Sequence, residues 1–142
     1  MIGKYLAKMD DKNRLFVPAK LRAELGSTFY VTVGTNDGHR CLTVYTEEGW
    51  IRLNEKYDQL PLALKSGATT MLFSRAVECN PDKQFRFTLT QDLLDYAGIG
   101  RDVTIVGRAG QAEIWDQAQY AAFEQEVLTP EKLMASLEAI GL

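Results

Sequence analysis

Residues Asp10 to Gly26 read D-D-K-N-R-L-F-V-P-A-K-L-R-A-E-L-G, and residues Asp82 to Gly98 read D-K-Q-F-R-F-T-L-T-Q-D-L-L-D-Y-A-G. An offset of 72 residues aligns Asp10 with Asp82, Arg14 with Arg86, Leu21 with Leu93 and Gly26 with Gly98. The same frame carries Val31 onto Val103 and Val33 onto Ile105, then drifts to 70, matching Val44-Tyr45 to Ile114-Trp115 and Trp50 to Tyr120. Six positions in one frame mark a duplicated unit, and duplication changes what every motif in either copy means.

Each copy carries the same succession of local signals. A polar turn, Lys12-Asn13 or Gln84-Phe85, precedes a short alternating stretch, Leu15-Phe16-Val17 or Phe87-Thr88-Leu89, which suits a half-buried strand. A short helix follows. In the first copy Pro18 fits its first turn, Leu21 and Leu25 share a face, and Gly26 supplies a left-handed stop. In the second, Thr90 is the cap, Leu93, Leu94 and Ala97 form the apolar face, and Gly98 ends it. Strands are expected at Phe29–Val33 and Leu42–Tyr45, and again at Val103–Val106 and Glu113–Trp115. Outside the repeat, helices are expected over Thr46–Leu60 and within Gln117–Leu142, where Thr129-Pro130 reads as a cap followed by a first-turn proline. The division that follows is a first module with its helix over residues 1–64, a surface linker at 65–71, and a second module with C-terminal helices over 72–142. A unit of this size buries too little surface to fold alone, so the two copies are expected to lend each other strands as an intramolecular pseudo-dimer.

The chain is 142 residues long and 46% hydrophobic, enough for one domain or two small units sharing a core. No apolar run approaches the roughly twenty residues of a membrane span, and no leader pattern is evident, so a cytoplasmic protein without membrane contact is expected. Cys41 and Cys79 lie far apart without paired-cysteine spacing and read as small buried hydrophobes, not as a disulfide or a metal site. The net charge of −3 is unevenly spread. Residues 1–22 hold six basic side chains against Asp10 and Asp11, a local +4, whereas the half after Met71 has six basic against eleven acidic. Local density governs contact with a phosphate backbone, so the overall sign does not exclude DNA.

Nothing in the sequence assembles a catalytic constellation, and an enzyme is not expected. His39 is alone beside the turn Asn36-Asp37-Gly38 and reads as a solvated loop residue. Asp10, Asp11 and Asp82 stand before tight turns, where aspartate ordinarily bonds the backbone that follows. The turns themselves carry more. Lys12 and Arg14 flank the first tip, and Lys83 and Arg86 the second, so two basic tips related by pseudo-symmetry could grip phosphates or guanine edges. The competing reading is ordinary soluble surface.

At these residues the chain resembles a known family. The start M-I-G-K-Y, D-D-K-N-R-L-F-V-P-A-K-L-R, C-L-T-V-Y-T-E-E-G-W and E-C-N-P-D-K-Q-F-R, with Y-A-G-I and E-I-W, resemble the MraZ proteins, bacterial transcriptional regulators built from two AbrB-like (SpoVT-AbrB) modules. The resemblance spans nearly the whole chain. It implies an α+β, mainly β fold: a double-split, swapped-hairpin β-barrel of AbrB/MazE/MraZ type with flanking helices. It also implies a homo-oligomeric ring that binds short repeats of double-stranded DNA in the promoter of the division and cell-wall gene cluster, associated with the nucleoid, without cofactor, metal or small-molecule substrate.

In that family a D-x-K-G-R tip faces DNA. Carried over, the first tip comprises Asp10, Lys12, Asn13 and Arg14, and the second Asp82, Lys83, Gln84, Phe85 and Arg86. The family's glycine is Asn13 in one tip, which tolerates positive φ, and Phe85 in the other, which does so only at a steric cost, so the second turn is expected to be reshaped. The first tip then becomes the DNA site and the second mainly structural. Phe85 reads either as an apolar wedge against bases or as packing on a neighbouring subunit. Lys20 and Arg22, on the first short helix, are candidate phosphate contacts or a solvated face. The alternative function is a ring-forming scaffold that has lost specific DNA binding.

Overall fold

The computed structural model describes all 142 residues. The first half runs β1 (Lys4–Lys8), β2 (Arg14–Phe16), a 3-10 turn (Ala19–Leu21) leading into α1 (Arg22–Leu25), β3 (Phe29–Asn36), β4 (His39–Thr46), α2 (Glu47–Asp58), a second 3-10 turn (Leu62–Leu64) and α3 (Ala68–Ser74). The second runs β5 (Val77–Cys79), β6 (Arg86–Thr88), α4 (Gln91–Ala97), β7 (Asp102–Arg108), β8 (Gln111–Asp116), α5 (Gln117–Val127) and α6 (Pro130–Ile140). The fold is α+β and mainly β, with every strand pair antiparallel.

Strands are exchanged between the halves. The six-stranded sheet has the order β1-β7-β8-β4-β3-β5, so the first half's opening strand lies on the second half's hairpin and the second half's opening strand on the first's. A separate two-stranded ribbon joins β2 to β6. The ladders form these two sheets and do not close into one barrel. The 72-residue frame locates the internal two-fold: Leu15 faces Phe87 at the centre of the ribbon, and Leu42 faces Ile114 in the sheet, each residue opposite its own repeat partner. The frame is therefore still 72 at Ile114, not yet 70. It has slipped only by the helix caps, where Thr46 accepts from the Gly49 amide and Asp116 from the Gln119 amide, because β8 has six residues and β4 eight.

The main core fills the space between the ribbon, α1 and α4 on one side and one face of the large sheet on the other. Leu15, Phe29, Leu42, Leu89, Leu93 and Ile114 are fully buried there, and Phe29 meets Phe87 edge to face with centroids 5.1 Å apart. The opposite face of β4 and β8 is covered too, so four consecutive residues of each strand, Cys41 to Val44 and Ala112 to Trp115, are buried. Cys41, Val106, Trp115 and Phe123 form that second cluster, with Tyr120 and Val127 packed against it. Burial pushes both thiols, Cys41 and Cys79, up to about 12, in keeping with inert core positions. On the first module Trp50 stacks on Tyr30 and touches Tyr45 and Phe73.

Several local expectations need correction. Pro18 stands at the cap of the first 3-10 turn, not inside the helix. Gly26 is not left-handed helical: it has φ 69° and ψ −158°, whereas Gly98 has φ 63° and ψ 34°. The end of the expected linker is helical, since α3 begins at Ala68 and sends Phe73 against Trp50 and Tyr57. His39 is not a free loop residue, because its Nε2 lies 2.9 Å from Glu126 Oε2 and its ring packs edge-on against Phe123. Helix α6 has the expected cap and first-turn proline but buries nothing, leaving Leu133, Met134, Leu137 and Ile140 exposed. No helix is long and apolar enough to cross a membrane.

Candidate nucleic-acid interface

Two aspartates build the tips. In the first, Asp10 Oδ1 accepts from the amides of Lys12 (2.9 Å) and Arg14 (2.8 Å), and the Asn13 amide donates to the Asp10 carbonyl (3.2 Å). In the second, Asp82 Oδ1 accepts from Gln84 (2.9 Å) and Arg86 (3.0 Å), and Phe85 donates to the Asp82 carbonyl (2.9 Å). The turn is thus an aspartate side chain imitating backbone, as expected of Asp at such a position. The pattern closes with the residue after each turn's apex in left-handed conformation, Asn13 at φ 58° and Phe85 at φ 62°. The second turn is not reshaped. Phe85 takes up the strained conformation and the hydrogen bonds match bond for bond.

What holds Phe85 there is exchange between modules. Its carbonyl accepts from the Val17 amide (2.8 Å), and the Asn13 carbonyl accepts from the Leu89 amide (2.9 Å), the same bond in the same frame. Each tip is clamped by the segment that follows the other module's ribbon strand, so the local cost at Phe85 is met by contacts outside its own turn.

The arginines are anchored identically. Arg14 Nε donates to Asp10 Oδ2 at 2.7 Å and Arg86 Nε to Asp82 Oδ2 at 2.9 Å, with both arginine side chains 27% exposed. Neither makes a hydrogen bond within the chain through its terminal amino groups, so each presents a fixed, outward-available fork. Burial pulls the Asp10 carboxyl upward, but the backbone amide and guanidinium of Arg14 and the Lys12 amide outweigh it and hold the group below its ordinary value. For Asp82 the Arg86 amide is the leading cause, with the Gln84 amide and the Arg86 guanidinium adding to it against the effect of burial. Pairing makes each Asp–Arg unit formally neutral. Net positive charge at the tips therefore comes from other residues.

Lys12, Lys20 and Lys83 are exposed and form no ion pair. The frame sets Lys83 opposite Asp11, and Gln84 opposite Lys12, so one cation is present on each tip. The first tip also carries the unpaired acid Asp11. Arg101 of the second module joins the first tip, lining a hollow with Asp10, Asp11, Asn13 and Gln91. Arg22 reaches the second: its Nε donates to the Val17 carbonyl (3.1 Å) and its guanidinium lies 3.9 Å from the Phe85 ring centroid.

Between the tips runs the β2–β6 ribbon. Leu15 and Phe87 point inward, while Arg14, Phe16, Arg86 and Thr88 face out, with Arg14 opposite Thr88 and Phe16 opposite Arg86. The two arginines are diagonal neighbours, a relation that in such ribbons means roughly 7–8 Å. Phe16 is 53% exposed. Sequence reasoning missed Arg101, Phe16 and the Arg22–Phe85 stack. Alternation would have placed Phe16 outside, opposite buried Leu15, but the other two depend on strand exchange and have no local signal.

A different polar site lies on the far face. Glu113, 2% exposed, accepts from Asn36 Nδ2 (3.1 Å), Arg108 Nη1 (3.0 Å) and Trp115 Nε1 (3.1 Å). A carboxylate with this many partners and no open approach ties the two hairpins together.

The family model described as MraZ protein matches residues 1–70 and again 72–139. The transcriptional regulator MraZ of Halothermothrix orenii is 34% identical over 144 residues, and that of Clostridium tetani 34% over 143, each alignment covering 99% of both chains. The transcriptional regulator MraZ of Caldicellulosiruptor bescii is 35% identical over 145 residues, covering 100% of this chain and 99% of its own.

Proposed function

The chain belongs to the MraZ family, and from that premise we propose that it is a sequence-specific DNA-binding transcriptional regulator whose two tips enter a groove of the duplex. The observation that carries this reading is the pair of equivalent turns on one exchanged ribbon, each presenting an arginine with free terminal amino groups. A two-stranded antiparallel ribbon fits the major groove, where an arginine fork matches the O6 and N7 acceptors of guanine. Arg14 and Arg86 read base edges. Lys12, Asn13, Lys20, Arg22 and Lys83 contact the backbone and set the register.

The protein acts as a repressor of the division and cell-wall gene cluster, in the cytoplasm and in association with the nucleoid, by covering promoter repeats as a homo-oligomeric ring. One ribbon with a few cations binds weakly, but ribbons repeated around an assembly on repeated DNA boxes gain through effective concentration without new contacts. The exposed apolar residues of α6 favour self-association, since a helix with four uncovered apolar side chains is unusual on a monomer. Residues 1–64 and 72–142 are units of sequence joined at 65–71; because their strands are exchanged, they fold as one body. The same α6 face, with the acidic second half, favours a second reading as a ring-forming scaffold without specific DNA binding.

Gel shifts separate the two. Duplex from upstream of the protein's own gene should be bound at least about a hundredfold more tightly than random duplex at moderate salt, with log affinity falling steeply against log salt. Equal and weak retention of both duplexes would support the scaffold and sink the regulator.

A further inference from the structure

We infer that Phe85 is a positioning residue for DNA contact: its ring, at the tip of the second module, holds the Arg22 guanidinium of the first module in place to meet a phosphate. The inference rests on the DNA-binding reading above and adds a residue that the repeat, taken alone, marks only as a defect. Arg22 is held on two sides. Its guanidinium carbon lies 3.9 Å from the Phe85 ring centroid, and its Nε donates to the Val17 carbonyl at 3.1 Å. Those two supports are themselves joined, because the Val17 amide donates to the Phe85 carbonyl at 2.8 Å. Arg22 pairs with no carboxylate, and its terminal amino groups make no hydrogen bond within the chain. A guanidinium stacked on an aromatic face keeps its edge available for an anion, and its orientation is fixed before the anion arrives.

The internal two-fold shows that this stack is not a by-product of the fold. At the related place in the first tip stand Asn13 and Leu94, and the only side-chain contact of that type is a long hydrogen bond from Asn13 Nδ2 to Gln91 Oε1 (3.4 Å). Nor does Phe85 pack into the core of its own chain. It has φ 62°, where a side chain is strained and glycine is relaxed, and it remains 44% exposed. Strain without burial leaves the ring's face as the feature that glycine or asparagine could not supply. Arg22 thereby becomes a cation of the second tip, beside Lys83 and Arg86, although it is encoded in the first module.

Fluorescence anisotropy with the upstream duplex, read at several salt concentrations, tests this. Phe85→Gly is expected to weaken binding about tenfold and to make the salt slope shallower by about one phosphate contact. Phe85→Leu, which keeps an apolar side chain without a π face, should lose as much, and Phe85→Tyr should return to within about twofold of the original protein. Arg22→Gln should match Phe85→Gly, and the double variant should be no worse than either. Circular dichroism establishes that each variant is folded. Undiminished binding by folded Phe85→Gly and Phe85→Leu, failure of tyrosine to rescue, or additive losses in the double variant would overturn the inference. Absence of salt-dependent binding by the unaltered protein would instead overturn the DNA reading itself.

Discussion

At the scale of single residues, the interface depends on a division of labour within each arginine. One nitrogen, Nε, is spent on an aspartate or a carbonyl, and the terminal amino groups remain free, in Arg14, Arg86 and Arg22 alike. Asp10 and Asp82 are therefore parts of the turn. Their folded-state pKa values lie below the ordinary 3.8. A carboxylate depressed on folding contributes stability that is fully present above the unfolded value and lost as pH falls through the folded one. Thermal unfolding followed by circular dichroism should thus be unaffected by these groups from about pH 5 to about pH 8 and should fall below about pH 4, with a shallower acid dependence in Asp10→Asn/Asp82→Asn. An acid transition left unchanged by the double variant would show that the aspartates are not the titrating groups. These residues were legible in the sequence, since Asp before a turn and Arg four positions on recur in one frame. The state of Phe85 was not legible: steric reasoning argued for a reshaped turn, and the bond from Val17, 68 positions earlier in the chain, decides otherwise.

Elements show where local signals suffice and where they stop. Glycine after an apolar helical face marked both stops, Gly26 and Gly98, but the glycine code does not say which positive-φ conformation is used. Gly98 ends α4 in the left-handed helical region, which other residues enter at modest cost, whereas the backbone at Gly26 combines positive φ with strongly negative ψ, a region essentially restricted to glycine. Urea unfolding of Gly26→Ala should show a loss of about 1–3 kcal/mol, against about 1 kcal/mol, the low end of the cost of a left-handed residue, for Gly98→Ala. In the latter the new Cβ meets only the flexible end of Gln119, at 2.6 Å from Nε2. The opposite order would mean that the two stops are misassigned. Helix α6 teaches the complementary limit. Leu133, Leu137 and Ile140 announce a face to be covered, but periodicity does not name the cover, and the chain itself supplies none.

For the whole molecule, the decisive fact is strand exchange about an internal two-fold that passes between Leu15 and Phe87 and between Leu42 and Ile114. Duplication was readable from the sequence, and so was the need for two small units to share a core. Which strand pairs with which was not, because β1–β7, β2–β6 and β3–β5 join positions some 50 to 100 residues apart with nothing local to specify them. Exchange also gives the two tips the same turn geometry, although the sequence suggested that the second would be reshaped. With Lys83 in place of Asp11, and Arg22 brought over Phe85, the second tip is as well equipped for an anion as the first. The central claim is that both tips bind one duplex equivalently. Its most direct test is the affinity of Arg14→Ala and Arg86→Ala for the upstream duplex, measured side by side with folding confirmed by circular dichroism. Both should weaken binding by about tenfold to a hundredfold, within about threefold of each other. Loss confined to Arg14→Ala, with Arg86→Ala binding as the unaltered protein does, would contradict it.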